Sequence, residues 1–206
     1  MIILVEGING SGKTSLCNRL VEHYEDSVYI QEPGTTTLGT EVRSLLSRTN
    51  PTSLSSLFLY AAARAELVEK ILKPLVQAGR TVILDRFNPS TIAYQGYGLG
   101  LDLESVKTAC NIASQGFSTD RNILLVCPVK IASERAHKGN WTNSGGLYQD
   151  KVQRGYLEIA QTEKNWCVLD GTEEEDTVFA SAVSYINDPE GMKIAGAGSF
   201  GVLKIW

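Results

Sequence analysis

Cysteine is scarce and unpatterned: Cys17, Cys110, Cys127 and Cys167 are the only four in 206 residues. No C-x-x-C pair or metal-type spacing joins them, which argues against a disulfide scaffold or a zinc module and leaves reduced, buried thiols as the expectation. A basic excess is missing too. Lys and Arg total 19 against 23 Asp and Glu, for a formal net charge of -4. Such a chain lacks the cationic stripe that displaces counterions from a nucleic-acid polymer. There is no charged leader with an apolar run behind it and no apolar stretch near membrane-spanning length. The expectation is a cytoplasmic protein with no membrane partner. Long internal repeats and low-complexity tracts are also lacking.

What is present is an alternation. Short apolar runs, "MIILV" (1–5), "SVYIQ" (27–31), "TVILD" (81–85), "NILLVCPV" (122–129) and "WCVLD" (166–170), read as strands. Their near-continuous apolarity suits a sheet covered on both faces. Between them, 13–24, 38–47, 53–77, 102–115, 130–138, 148–164 and 173–187 carry helical periodicity. The expected class is α/β: a parallel β-sheet of about five strands flanked by helices. In 53–77, Leu54, Leu57, Phe58, Ala61, Ala65, Val68 and Leu72 form one predicted apolar stripe, and Pro74 is expected to kink or end its last part.

The first strand runs into "EGINGSGKTS" (6–15). Gly7-Ile8-Asn9-Gly10-Ser11-Gly12-Lys13-Thr14 satisfies G-x-x-x-x-G-K-[ST], with a strand before it and a helical pattern after it, as a phosphate loop requires. Glycines let successive backbone N–H groups turn toward an anion, and the following helix aims its positive end at the same place. The expected triphosphate-binding set is Gly7, Asn9, Gly10, Ser11, Gly12, Lys13, Thr14 and Ser15. In such a loop the lysine reaches the β- and γ-phosphates and the Thr14 hydroxyl ligates Mg²⁺. Asp85, at the end of a buried strand, is the expected second metal ligand.

Further motifs identify a family. "QEPGTTTLGTEVRSLL" (31–46), "LYAAARAELV" (59–68), "DRFNPSTIAYQGYGLGL" (85–101) and "GYLEIA" (155–160) resemble, in order, segments of the thymidylate (dTMP) kinases. The resemblance spans about residues 1–170. It implies a P-loop nucleoside monophosphate kinase fold with a short lid, Mg²⁺ with ATP as phosphoryl donor, and small nucleotides as partners.

It also implies residue roles. Arg43 and Arg86 match the arginines that bind the acceptor's phosphate, and planar guanidinium forks suit that task. On residue pattern alone, Arg43 reads more readily as a solvated helix residue. Tyr60 matches the aromatic that stacks on thymine, and Arg64 the residue at its edge. Their one-turn spacing lets both face one pocket, although aromatic packing beside a snorkelling arginine has the same spacing. Glu32 and Pro33 match the turn shaping the acceptor pocket; Thr91, Tyr94 and Gln95 match positions near base and sugar.

The chain departs from the family at Asn9, where an acid is usual, at Thr35 in place of a glycine, and at Ala63 in place of an acid. The phosphate loop has no arginine, so the cation assisting transfer is sought near the lid. Arg135 is the first candidate and Arg154 the second, with Lys138 and Lys151 also nearby. The expected division is a kinase domain over 1–187 with a lid at about 137–147, then an extension over 188–206, read as a β-hairpin. Gly196-Ala197-Gly198-Ser199-Phe200-Gly201 spells G-x-G-x-x-G, but no helix or downstream acid follows to make it a dinucleotide site. The expected activity is phosphoryl transfer from Mg-ATP to dTMP in a homodimer. A kinase of another deoxynucleoside monophosphate, or a catalytically weak nucleotide-binding scaffold, are the alternatives.

Overall fold

The computed structural model describes residues 1–136 and 145–189. Five strands, β1 (Ile2–Glu6), β2 (Ser27–Gln31), β3 (Thr81–Asp85), β4 (Arg121–Val126) and β5 (Trp166–Asp170), form one sheet in the order β2-β3-β1-β4-β5. Every pairing is parallel. The class read from the alternation of runs is the class observed. Strands β1 and β3 pair with Val5 opposite Asp85. Because the chain leaves β1 toward one side and crosses later to the other, a crevice opens at the carboxyl ends of these central strands, where α/β sheets bind ligands.

The strands are apolar throughout because both faces are covered. On one face Ile2 and Leu4 pack with Leu57, Leu67, Val106, Cys110, Val152 and Tyr156. These come from α3 (Ser53–Leu67), α6 (Leu103–Ser114) and α8 (Gly145–Thr162). On the other, Ile3 and Val5 pack with Leu16, Cys17 and Leu20 of α1 (Lys13–His23) and with Ala182, Tyr185 and Ile186 of α9 (Glu175–Asn187). All four cysteines are free and buried. Some helix starts are capped by side chains: Thr36 accepts from Gly39 N at 2.9 Å for α2 (Thr37–Thr49), and Asp102 from Ser105 N at 2.8 Å for α6. Each cap contributes about 1 kcal/mol.

Three expectations are corrected. Residues 53–77 are helical throughout, but α3 passes through a π-helical stretch at Val68–Leu72 before α4 (Lys73–Gln77). Pro74 sits in the first turn of α4, so the missing N–H and ring clash fall where the hydrogen-bond register has just changed. The predicted stripe is also split. Leu57, Val68 and Leu72 are buried, whereas Leu54 is 53% and Phe58 61% exposed. Finally, α5 (Asn88–Thr91) and a π-helical stretch at Ile92–Gly98 occupy a segment in which no helix is predicted. Helix α7 spans Val129–Arg135. The expected lid lies outside the described residues over 137–144, Lys138 included, as does the tail from residue 190 onward.

Leu72 is fully buried, whereas Leu147 is 82% exposed. Leu72→Ala is therefore expected to cost about 3 kcal/mol in urea unfolding and Leu147→Ala no more than about 0.5 kcal/mol.

Candidate active site

A cleft of about 1380 Å³ opens at the carboxyl edge of the sheet. At one end lie Asn9, Gly10, Ser11, Gly12, Lys13, Thr14 and Ser15, with Arg135 nearby; Glu32, Pro33, Arg43, Tyr60, Arg64, Asp85, Arg86, Thr91, Tyr94 and Gln95 line the rest. Gly7 lies just outside the lining, and its carbonyl accepts from Arg86 Nη1 at 3.2 Å. Arg154 and Lys151 are exposed and do not line the cleft. The cleft thus brings together the residues named for donor and for acceptor.

The loop after β1 takes its shape from its glycines. Gly10 has φ +81, and a Cβ there would collide with the carbonyl of Ala132 on α7. Any other residue is excluded by both backbone and neighbour. Lys13 opens α1, is 6% exposed, and folds back to donate from Nζ to Ile8 O at 2.8 Å. Burial, together with the charge on Arg86, pushes its amine down to about 7.

Asp85 ends β3 at 2% exposure. Its Oδ2 accepts from Tyr29 OH at 2.9 Å and from Gln31 Nε2 at 3.3 Å. Its Oδ1 is buried with no hydrogen-bond partner among the described residues. A buried orphan carboxylate oxygen is costly, and a cation bound beside the phosphate loop would satisfy it. Among the described residues no group of three His, Cys, Asp or Glu side chains gathers to hold a metal alone. A magnesium ion held by one carboxylate, one hydroxyl and phosphate oxygens needs no such group.

Arg86 follows at once, with a left-handed φ of +75. A non-glycine residue there carries about 1 kcal/mol or more of strain and persists only where its surroundings hold it. Nη2 donates to Asn9 Oδ1 at 2.6 Å, and Nη1 to Ser90 Oγ and Tyr156 OH, each at 3.1 Å. The guanidinium also lies 5.3 Å from the centroid of the Tyr94 ring. Asn9, the departure from the family pattern, thus serves as a neutral acceptor for this arginine. Arg43 is exposed on α2 and donates to Gln31 Oε1 at 2.8 Å, so one amide bridges Arg43 and Asp85.

Farther from the phosphate loop, Arg64 is 2% exposed and not snorkelling. Its Nε meets Glu32 Oε1 at 2.7 Å, and its Nη2 donates to Thr91 Oγ1 at 2.9 Å and Phe87 O at 3.2 Å. Glu32 is equally buried. Burial drives its carboxyl up to about 7, against the opposing pull of Arg64. The Tyr94 hydroxyl is buried without a hydrogen-bond partner among the described residues. Burial likewise raises the Tyr60 hydroxyl.

Sequence reading assigned no role to Glu6, Tyr29, Gln31, Ser90 or Tyr156. The one available signal was Glu6, an ionisable residue closing a strand that is apolar on both faces.

Glu32 links site and stability. The folded chain binds the Glu32 proton more tightly than the unfolded chain, so this group's contribution is full below about pH 4.5 and is lost as pH rises through about 7. Glu32→Gln removes that dependence. Between pH 4.5 and 7 the wild-type unfolding free energy is expected to fall relative to that of the variant, measured by urea titration at each pH. Parallel curves would count against it.

Known proteins share this architecture. The thymidylate kinase family model matches residues 5–182. A thymidylate kinase of Thermosipho africanus is 35% identical over 195 residues, covering 90% of this chain and 97% of the relative. One of Fervidobacterium nodosum is 34% identical over 194 residues, covering 91% and 98%. The crystal structure of thymidylate kinase from Ehrlichia chaffeensis superposes with a TM-score of 0.75 at 30% identity, covering 90% of this chain and 98% of that one. With a phosphate loop, a carboxylate and two arginines converging on one cleft, and this similarity along nearly its whole length, the chain belongs to the thymidylate kinase family.

Proposed function

We propose that the protein transfers the γ-phosphoryl group of Mg-ATP to the 5′-phosphate of dTMP, giving dTDP and ADP. The observation that carries this reading is the shared cleft: phosphate loop at one end, Arg43, Arg86, Tyr60 and Arg64 beyond it. Lys13 and the loop amides, with Gly7, Ser11, Gly12 and Ser15 completing the loop, hold the donor's triphosphate. Arg86 and Arg43 hold the acceptor phosphate bidentately. Tyr60 stacks on the thymine, Arg64 and Gln95 meet its edge, and Thr91 and Tyr94 bound base and sugar. Glu32 and Pro33 wall the pocket, and Glu32 fixes Arg64 by the ion pair described above.

No protein base is needed, because an ionised phosphate oxygen is already the nucleophile. The chain's contribution is alignment of that oxygen with the γ-phosphorus and neutralisation of charge by Lys13 and Arg86. Arg135, the last residue of α7, lines the donor end of the cleft, where its Nη1 donates to Gly171 O at 2.6 Å, and is the cation proposed to assist transfer. Thr14 and Asp85 would hold the magnesium ion, which supplies charge neutralisation on the phosphate oxygens when bound.

We assign the kinase domain to 1–187, with 188–206 an extension, and a cytoplasmic location. No helix among the described residues is long and apolar enough to cross a membrane. The protein is proposed to act as a homodimer. Phe58 on α3 and Ile112 on α6, the latter 73% exposed, border a shallow apolar groove with Ala61, Ala65 and Ala109. A second copy burying that face would remove large apolar side chains from water.

A coupled assay is expected to give dTMP-dependent ADP production that exceeds ATP hydrolysis and is abolished by EDTA. Lys13→Ala should lower kcat by a factor on the order of 10²–10³ or more. A monophosphate other than dTMP preferred by more than about tenfold in kcat/KM would overturn the assignment of the acceptor. Phe58→Glu is expected to shift the sedimentation-equilibrium mass from dimer to monomer while the far-UV spectrum stays native.

A further inference from the structure

We propose that Glu6 is a positioning residue, holding the Arg86 guanidinium in its phosphate-gripping orientation through the hydroxyls of Ser90 and Tyr156. The inference rests on the assignment of Arg86 to the acceptor phosphate made above.

Glu6 is the last residue of β1 and is completely buried. A carboxylate removed from water costs several kcal/mol unless donors surround it. Four do. Oε1 accepts from the backbone N–H of Phe87 at 2.9 Å and of Ser90 at 3.1 Å. Oε2 accepts from Ser90 Oγ at 2.7 Å and Tyr156 OH at 3.0 Å. The amides pin the chain just after Arg86, the residue with the strained backbone. The hydroxyls do something different. Each turns toward Arg86 Nη1, which donates to both.

The direction of these bonds is the core of the inference. A hydroxyl has one proton and two lone pairs. An acceptor that carries no hydrogen draws both hydroxyl protons toward itself and leaves lone pairs to accept from the guanidinium. Ser90 Oγ and Tyr156 OH also stand 2.7 Å apart, so the three oxygens form a closed triangle sharing two protons. An amide at position 6 would donate into that triangle and turn one hydroxyl proton toward Arg86. Glu6 also supplies a nearby negative charge that Arg86 feels without a direct ion pair; its carboxyl is raised by burial and lowered by Arg86. The links come from distant parts of the chain: Ser90 from α5 and Tyr156 from α8. With the Gly7 carbonyl they hold Nη1, while Asn9 holds Nη2.

The test is steady-state kinetics on the intact protein with dTMP and ATP varied separately. Tyr156→Phe removes one hydroxyl from the triangle and keeps the ring in the core. It is expected to lower kcat/KM for dTMP about tenfold while KM for ATP stays within about twofold, a split that mere loosening of the core would not give. Glu6→Gln should do the same more strongly; if it does not fold, Tyr156→Phe decides. Arg86→Lys should lower kcat/KM for dTMP at least about a hundredfold, and adding Tyr156→Phe to it should cost no more than a further twofold. Wild-type dTMP kinetics in Tyr156→Phe, or losses that multiply in the double variant, would overturn the role of Glu6 and leave that of Arg86 standing. An Arg86→Lys variant with unimpaired transfer would overturn both.

Discussion

Parallel pairing of β1 with β3 is the constraint from which the site follows. With Val5 opposite Asp85 and Arg86 N donating to Val5 O at 3.2 Å, the phosphate loop and the Asp85-Arg86 step leave the sheet side by side. Each strand alone delivers half of a site. Shifting one against the other by a single residue would turn Asp85 to the opposite face of the sheet, because side chains alternate. The two apolar faces prevent that slip, since Ile3 and Val5 are committed to one core and Ile2 and Leu4 to the other.

Charge is the cost of this arrangement. Glu6, Lys13, Glu32, Arg64 and Asp85 are all buried. Each is compensated differently: Glu6 by four donors, Glu32 and Arg64 by each other, Lys13 by a backbone carbonyl. Lys13 and Asp85 retain unmet electrostatic demand, in a depressed amine and an orphan oxygen. A cleft that leaves its cation and its carboxylate incompletely satisfied is prepared for a ligand that supplies phosphate and a divalent ion.

Legibility varied with the range of the physics involved. The phosphate loop was readable because its geometry is local: glycines, a strand before and a helix after. The strands were readable because burial on both faces writes itself as apolar runs. The helical segment 88–98 was not. Gly96 and Gly98 are weak helix formers, and the stretch is stabilised by packing on α8, where a Cβ on Gly155 would come within 2.6 Å of Tyr97. The stripe on α3 misled for a related reason. Its periodicity was real, but Arg64, paired with Glu32, took a place in the interior while Leu54 and Phe58 remained outside.

By itself, then, the sequence determined the α/β class, the strand positions, the phosphate loop and the residue types that could serve a nucleotide kinase. All of these depend on contacts between near neighbours or on solvent exclusion along a run. Only the tertiary structure decided that Glu6, Ser90 and Tyr156 enclose the arginine, that Gln31 joins Asp85 to Arg43, and that Arg64 is buried with Glu32. Gln31 and Arg43 are 12 residues apart and Arg86 and Ser90 only 4, but most of those partners are far more distant, up to 150 residues for Tyr156 and Glu6. A hydrogen bond is fixed by ångström-scale approach, which strand order and helix packing set and residue order does not.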